Sequence, residues 1–295
     1  MRLLRLCIAT VAVMMIMASS ACAYEVLILQ SSHAAAYDEA LQGVRAMHRF
    51  SERLLVLSDY NHVDIQQIVR EEHPKLLVVL GDAAYATARK IRQLPVVVLM
   101  APNYRGGSAG HPAMTGVTLY LPPERYLALF HALKLHRVGM LGHPGKSGQY
   151  IRWVQKVAPE YAVEPVVREV ASPRDVSGQL NSLQGQVDAL WLLPDDTAVA
   201  RETVEAYFLF SLQQQVPVIA FSGAYLQSGA AVALDLNRHD MGRQAGSMVA
   251  ALLDGKDVAN LPVEFPRKAV VRTNLTVLRR LGFGHVNLNS GAESR

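Results

Sequence analysis

The sequence predicts an α/β protein made of two doubly wound, Rossmann-like lobes joined by a hinge. Three observations carry that expectation. Short apolar runs of strand length alternate with amphipathic segments of helix length along nearly all of the chain, the order that gives a parallel sheet. The runs, such as LLVVL at 76–80 and PVVVLM at 95–100, are apolar throughout rather than at every second residue, as in strands covered on both faces. Finally, Pro122-Pro123 interrupts the alternation, which then restarts.

The clearest unit spans 187–221, VDALWLLPDDTAVARETVEAYFLFSLQQQVPVIAF. Its first apolar run stops at Pro194, which lacks the N–H that a sheet ladder needs. Asp195, Asp196 and Thr197 then stand where strand gives way to helix, the carboxyl edge at which open parallel sheets hold ligands. Val204, Phe208 and Leu212, four apart, define one face of that helix, and Pro217 opens the second buried run, VPVIAF.

In chain order, strands are expected at 24–30, 54–57, 76–80, 95–100 and 115–120, with helices at 37–50, 63–73 and 83–91. Ser31-Ser32-His33, Gly81-Asp82 and Ala101-Pro102-Asn103-Tyr104 fall at the ends of these strands. Beyond the two prolines come helices at 124–134, 148–158 and 176–183, strands at 137–141 and 163–170, and then the unit above. A strand at 230–234, a helix at 241–253, a strand at 263–272, a helix at 274–281 and a disordered polar tail at 286–295 complete the reading.

At the start, Arg2 and Arg5 precede the apolar run LCIATVAVMMIMA, and small residues lead to Ala21-Cys22-Ala23, an A-x-A site before Tyr24. This is the pattern of a secretory signal peptide occupying 1–23 and cleaved after Ala23. The run is shorter than the roughly 20 residues of a membrane span. Lipoprotein anchoring at Cys22 lacks the leucine-type residue three places before it. Both cysteines, Cys7 and Cys22, leave with this segment, so the mature chain is expected to have no thiol nucleophile, disulfide or cysteine-based metal site. Arg2 and Arg5 leave too, taking the formal charge from +4 to +2. No Lys/Arg stripe with interleaved aromatics is left to suggest nucleic-acid binding. The ten histidines are scattered, without H-E-x-x-H or a pair at metal spacing, so no metal and no other cofactor is expected.

Catalytic motifs are weaker than they look. Gly106-Gly107-Ser108-Ala109-Gly110 satisfies G-x-S-x-G, but that motif needs a strand before the serine and a helix after it, and Pro102 and Pro112 bracket a loop. Gly145-Lys146-Ser147 looks like the end of a P-loop, yet Met140 stands where the first glycine is required. Asp195 and Asp196 are neighbours without an evident partner acid. The favoured division gives one of them a ligand ammonium and the other a helix cap. Helix N-termini present free N–H groups and about half a positive charge. Ser31, Ser32, Asn103, Thr197 and Ser222 stand at predicted strand ends beside such termini. Each alone is equally a cap or turn residue; as a set they argue more strongly for ligand binding. Asp82 reads either as an N-cap or as a ligand contact, and in the second role it favours a cationic or hydroxylated group.

The run 189–221 with its Asp195-Asp196-Thr197 turn, the segment GVTLYLPPER, the RVGML strand with its loop, and Asp240-Met241-Gly242-Arg243-Gln244-Ala245-Gly246 together resemble the ABC transporter substrate-binding proteins related to the tryptophan-binding TrpX group. The resemblance covers nearly the whole mature chain in the same order. It implies the type I periplasmic-binding-protein fold, with one lobe from 24–119 plus about 237–257 and the other from 122–236 plus about 258–285. It also implies a periplasmic, monomeric, non-enzymatic protein that closes on a small solute, often an amino acid, and delivers it to an ABC permease with its ATPase. A sensing partner of a membrane receptor is the alternative, and a hydrolase a more distant one. Where members often carry Gly-Thr or Gly-Ser, this chain has Gly81-Asp82-Ala83-Ala84; where Tyr-Asn or Tyr-Asp and Pro are common, it has Gly142-His143-Pro144. The expected ligand contacts are Ser31, Ser32, Gly81, Asp82, Ala83, Pro102, Asn103, His143, Asp195, Asp196, Thr197 and Ser222.

Overall fold

Val26–Gln30 (β1), Glu52–Val56 (β2), Leu76–Leu80 (β3), Val96–Leu99 (β4) and Met114–Gly116 (β5) form a parallel sheet in the order β2-β1-β3-β4-β5. All residues of β1, β3 and β4 are buried, because helices cover both faces. Val26 and Ile28 point toward Ala35–Arg45 (α1), while Leu27 and Leu29 point toward Ile65–Glu72 (α2) and Asp82–Ala88 (α3). The computed structural model describes residues 24–106 and 113–283. The expected signal peptide at 1–23, all of the G-x-S-x-G motif but Gly106, and the polar tail at 286–295 lie outside the described residues.

The second half builds a six-stranded sheet. Pro123–Ala132 (α4) leads into Arg137–Gly142 (β6), Gly148–Val157 (α5), Glu164–Glu169 (β7), Val176–Asn181 (α6), Ala189–Trp191 (β8), Val204–Gln214 (α7) and Val218–Ala220 (β9). Tyr225–Ser228 (α8), Val232–Leu236 (β10), Arg238–Leu253 (α9), Ala269–Thr273 (β11) and Leu275–Arg280 (α10) follow. The order is β11-β10-β9-β8-β6-β7, parallel except for the antiparallel β10-β11 pair. Trp191 of β8, 1% exposed, anchors one face, with the rings of Tyr126, Phe130 and Tyr150 centred 4.5, 5.3 and 6.0 Å away. Aromatic clustering of this kind adds to the burial of each ring.

The chain crosses between the sheets three times. It leaves the first at 119–122 and returns at Asn237, whose side chain caps α9 by accepting from the Asp240 N–H at 2.8 Å. It crosses again after Glu264, which pairs with Val117 in a single parallel bridge. Helix α9 packs on α1 with unusually close backbones. A Cβ on Gly242 would lie 1.9 Å from the Ala40 carbonyl oxygen, and one on Gly43 would lie 2.1 Å from that of His239.

Three expectations are corrected in detail. The strand expected at 263–272 is two pieces, the Glu264 bridge and β11, separated by Pro266, which cannot donate to a ladder. The strand at 115–120 ends at Gly116, apart from that bridge. The helix after the acidic turn starts only at Val204, and its buried residues are Tyr207, Phe208, Phe210 and Ser211. Leu212 is 48% exposed, so the face read from Val204, Phe208 and Leu212 is rotated from the real one. The intervening 195–203 is consumed in turns, which shifts where the helix can begin.

Candidate functional site

The carboxyl ends of the two sheets meet. On the first lobe, the Ser31 hydroxyl donates to the Leu80 carbonyl at 3.0 Å and accepts from the Ala84 N–H at 3.0 Å. It thereby supplies one of the acceptors that the start of α3 needs. Gly81 adopts φ +88°, and a Cβ there would stand 2.4 Å from the Tyr37 hydroxyl and 2.6 Å from Ser31 Oγ, so only glycine fits. The carboxylate of Asp82 accepts from Asn103 twice, from its backbone N–H and its Nδ2, both at 2.9 Å.

On the second lobe, Asp195 is 2% exposed and fully engaged. Its Oδ2 accepts from the His143 N–H at 2.8 Å and the Ser147 hydroxyl at 2.6 Å; its Oδ1 accepts from the Thr197 and Ala198 N–H groups at 2.9 and 3.1 Å. Asp195 thus fastens the loop after β6 to the turn after β8. The cap in the acidic pair is therefore Asp195, but it caps the turn at 195–199 rather than α7, whose first residue is Val204. Gly142 belongs to the same knot: a Cβ there would lie 2.2 Å from Ser147 Oγ. An aromatic residue at this position is incompatible with the Ser147–Asp195 bond.

Asp196 points the other way. Its Oδ2 accepts from Asn103 Nδ2 at 3.1 Å, and its Oδ1 pairs with the Lys146 ammonium. A chain of polar groups, Asp82, Asn103, Asp196 and Lys146, therefore spans the two lobes. Arg105 donates from its guanidinium to the Gly145 carbonyl, and Tyr120 donates to the Pro194 carbonyl at 3.1 Å, on the same seam.

Of the residues singled out from the sequence, Asp82, Asn103 and Asp196 are in direct contact, and Ser31, Gly81, Asp195 and His143 frame them. Thr197 is buried and contributes its N–H to Asp195. Ser32 offers its carbonyl to Gln30, and Ser222 accepts locally from Ala224 at 3.4 Å. Pro102 is half-buried and Ala83 is exposed; neither carries a polar side chain. Sequence reasoning passed over Lys146, dismissed with the failed P-loop, and Asp235. The latter holds the Gly223 N–H at 2.9 Å and Arg272 Nε at 2.8 Å. An aspartate inside the apolar run VALDL was the available signal. Among the described residues no group of three or more His, Cys, Asp or Glu side chains could hold a metal, and no helix is long and apolar enough to cross a membrane.

The two facing carboxylates titrate in opposite directions. Burial pushes the Asp82 carboxyl up; the Asn103 donors oppose this, the Asp196 charge adds to it, and the net shift is upward. Burial also pushes Asp196 up, but Lys146 and Asn103 outweigh it and hold it below the ordinary value. The stability that Asp196 contributes is thus present above the ordinary carboxylate range and lost as pH falls through its depressed pKa. Asp82 has the reverse sign, because its native state binds the proton more tightly than the unfolded chain. We therefore expect the stability of the wild type relative to Asp82→Asn to grow as pH is lowered from neutral toward about 4, the unfolded aspartate value. Urea denaturation across that range checks this, and a difference that stays constant with pH contradicts it.

Two α/β lobes, three crossing segments and a polar seam at the carboxyl ends of both sheets define the architecture of type I periplasmic-binding proteins. The chain belongs to the ABC transporter substrate-binding protein family, whose model matches residues 56–287. Membership makes it a substrate-binding protein. It is similar to a tyrosine-binding protein of Clostridioides difficile (strain R20291), with 22% identity over 172 residues, 57% of this chain and 49% of the relative. The match thus spans about half the length of that curated relative. Among solved structures it resembles an ABC domain in complex with L-Trp from Streptococcus pneumonia (TM-score 0.64, 17% identity, 87% of this chain and 94% of that one). It also resembles the ligand-free, open structure of a substrate-binding protein with adhesive properties from Clostridium difficile (TM-score 0.68, 16% identity, 92% and 98%). At these identities the structural likeness concerns the fold.

Proposed function

We propose that this protein is the extracytoplasmic binding component of an ABC importer and holds a small molecule bearing an ammonium group, such as an amino acid, between its lobes. The observation that carries the proposal is the chain from Asp82 through Asn103 to Asp196 and Lys146, because it joins side chains from the mouths of both sheets. Two carboxylates, an amide and an ammonium at the same place supply acceptors for a ligand cation and a donor for a ligand anion. The names of the tyrosine-binding relative and of the structure containing L-Trp support an amino-acid class.

In the mechanism, the ligand stabilises the closed arrangement by touching both lobes, and the difference in its affinity for the open and closed states drives the change. The crossings at 119–122, at Asn237 and after Glu264 are the hinge. Export through a signal peptide at 1–23, a monomeric state, and delivery to a permease with its ATPase complete the proposal. The test is titration with L-tyrosine and L-tryptophan. Replacing Asp196 by alanine removes charge-assisted bonds worth about 1.5–3 kcal/mol, so affinity falls at least about tenfold. Its side chain is 45% exposed, and the melting temperature should barely move.

A further inference from the structure

A groove of about 280 Å³ runs between the first half of α9, Met47 just past α1, and the third crossing segment. It shares no residue with the Asp82–Asn103–Asp196–Lys146 seam. Gly246 accounts for the Met47 wall: a Cβ on that glycine would stand 2.9 Å from Met47 Cβ, so the chain after α1 lies directly on α9. Gln244, 3% exposed, fixes the opposite wall. Its Nε2 donates to Glu264 Oε2 at 2.7 Å and to the Phe265 carbonyl at 3.0 Å, and its Oε1 accepts from the Arg267 N–H at 3.1 Å. These three bonds hold the crossing segment on α9 in one register and so place Arg267 and Lys268 beside Arg243.

Three cations line the groove, Arg243, Arg267 and Lys268, against one carboxylate, Asp240. Lys268 Nζ engages Asp240 at 3.2 Å, and Arg267 Nη2 engages Glu264 at 2.7 Å. Each acid therefore balances one cation, and the charge of Arg243 is left over. Its guanidinium has no hydrogen-bond or ion-pair partner among the described residues, and Nε and Nη1 of Arg267 are likewise free there. Charges of one sign converging on a concavity raise its potential and draw a small ion of the other sign. A guanidinium fork matches two oxygens of a phosphate, and a tetrahedral oxyanion has enough oxygens to take the forks of Arg243 and Arg267 together; a planar carboxylate has only two. The buried Gln244 frame stands before any anion arrives, so binding orders little backbone.

We propose that this groove binds a phosphate-type oxyanion from solution, held by Arg243 and Arg267 with Lys268 at its edge. The site stands whether or not an amino acid binds between the lobes. The test is the melting temperature of the purified protein titrated with sodium phosphate near neutral pH, against sodium chloride at equal ionic strength. Phosphate should raise it and chloride should not, because only a bound ion stabilises by mass action. Phosphate also favours any compact state through exclusion from the surface, and variants separate the two effects. Arg243→Gln takes away no contact within the protein among the described residues, so it should fold like the wild type. It should weaken phosphate at least about tenfold, as the loss of charge-assisted bonds requires. Arg70→Gln makes the same change of charge at a different groove and should leave the affinity within about twofold. No effect of phosphate beyond that of chloride, an equal effect in Arg243→Gln and the wild type, or an equal loss in Arg70→Gln overturns the proposal. Arg243-dependent binding to phosphatidylglycerol vesicles without an effect of inorganic phosphate also overturns it, and makes the groove a membrane contact instead.

Discussion

Asp195→Ala should unfold far more readily than the wild type. The side chain is 2% exposed and its two oxygens accept four hydrogen bonds, from His143, Ser147, Thr197 and Ala198. Truncation leaves four donors facing a hole. Each donor left unsatisfied in a buried site costs about 1–3 kcal/mol. Some of them will find water, so we expect a loss of about 3 kcal/mol. For a chain of this size that lowers the melting temperature by about 10 °C. Asp195→Asn should lose about half as much, since the amide keeps one acceptor oxygen but turns its NH2 toward two donors. Urea denaturation followed by tryptophan fluorescence reads both values, because Trp191 lies in the same sheet. A loss below about 1 kcal/mol, the level of an ordinary hydrogen bond, would contradict the view that Asp195 fastens the two loops.

Gly242→Ala should destabilise as strongly, against the ordinary trend. Alanine in a helix interior is better than glycine by about 1 kcal/mol. In α9, however, the added methyl would meet the Ala40 carbonyl oxygen of α1 at 1.9 Å, and both atoms belong to rigid helical backbone. No side chain can yield. The helices must separate, and overpacking of this kind costs about 3 kcal/mol, which reverses the sign of the propensity term. Gly255→Ala provides the contrast: nothing lies within 4 Å, but its φ of +88° makes its cost purely conformational. Thermal denaturation in which Gly242→Ala matched or exceeded the wild type would contradict the close packing of α1 on α9.

Most of the fold is legible because its signals are local. LLVVL and PVVVLM are too short for helices and apolar throughout, and they become β3 and β4. The late helix is bounded by Asn237, a good cap, and its glycines mark the close approach to α1. Errors arise where long-range geometry decides. The buried face of α7 is rotated from the one its spacing suggests, because the start of the helix depends on turns whose bonds go to Asp195, several residues upstream. The strand expected at 263–272 is divided because Pro266 cannot donate to a ladder.

The candidate site divides in the same way. Asp82, Asn103 and the acidic pair could be placed at strand ends from sequence. The contact of Asn103 with Asp196 joins residues nearly a hundred positions apart, and only the folded chain brings them together. Which of Asp195 and Asp196 is the cap does not follow from the sequence, since neighbouring side chains point in different directions and burial decides which is which. Lys146 was legible only as part of a motif that fails; its partner identifies it.

The most direct test of the account is calorimetric titration of the wild type and Asp196→Ala with the twenty common L-amino acids, L-tyrosine and L-tryptophan first. At least one should bind the wild type, and its affinity should fall at least about tenfold in the variant while the melting temperature stays nearly unchanged. No binding of any of them, or equal affinity in wild type and variant, would contradict the placing of an ammonium-bearing ligand between Asp82 and Asp196.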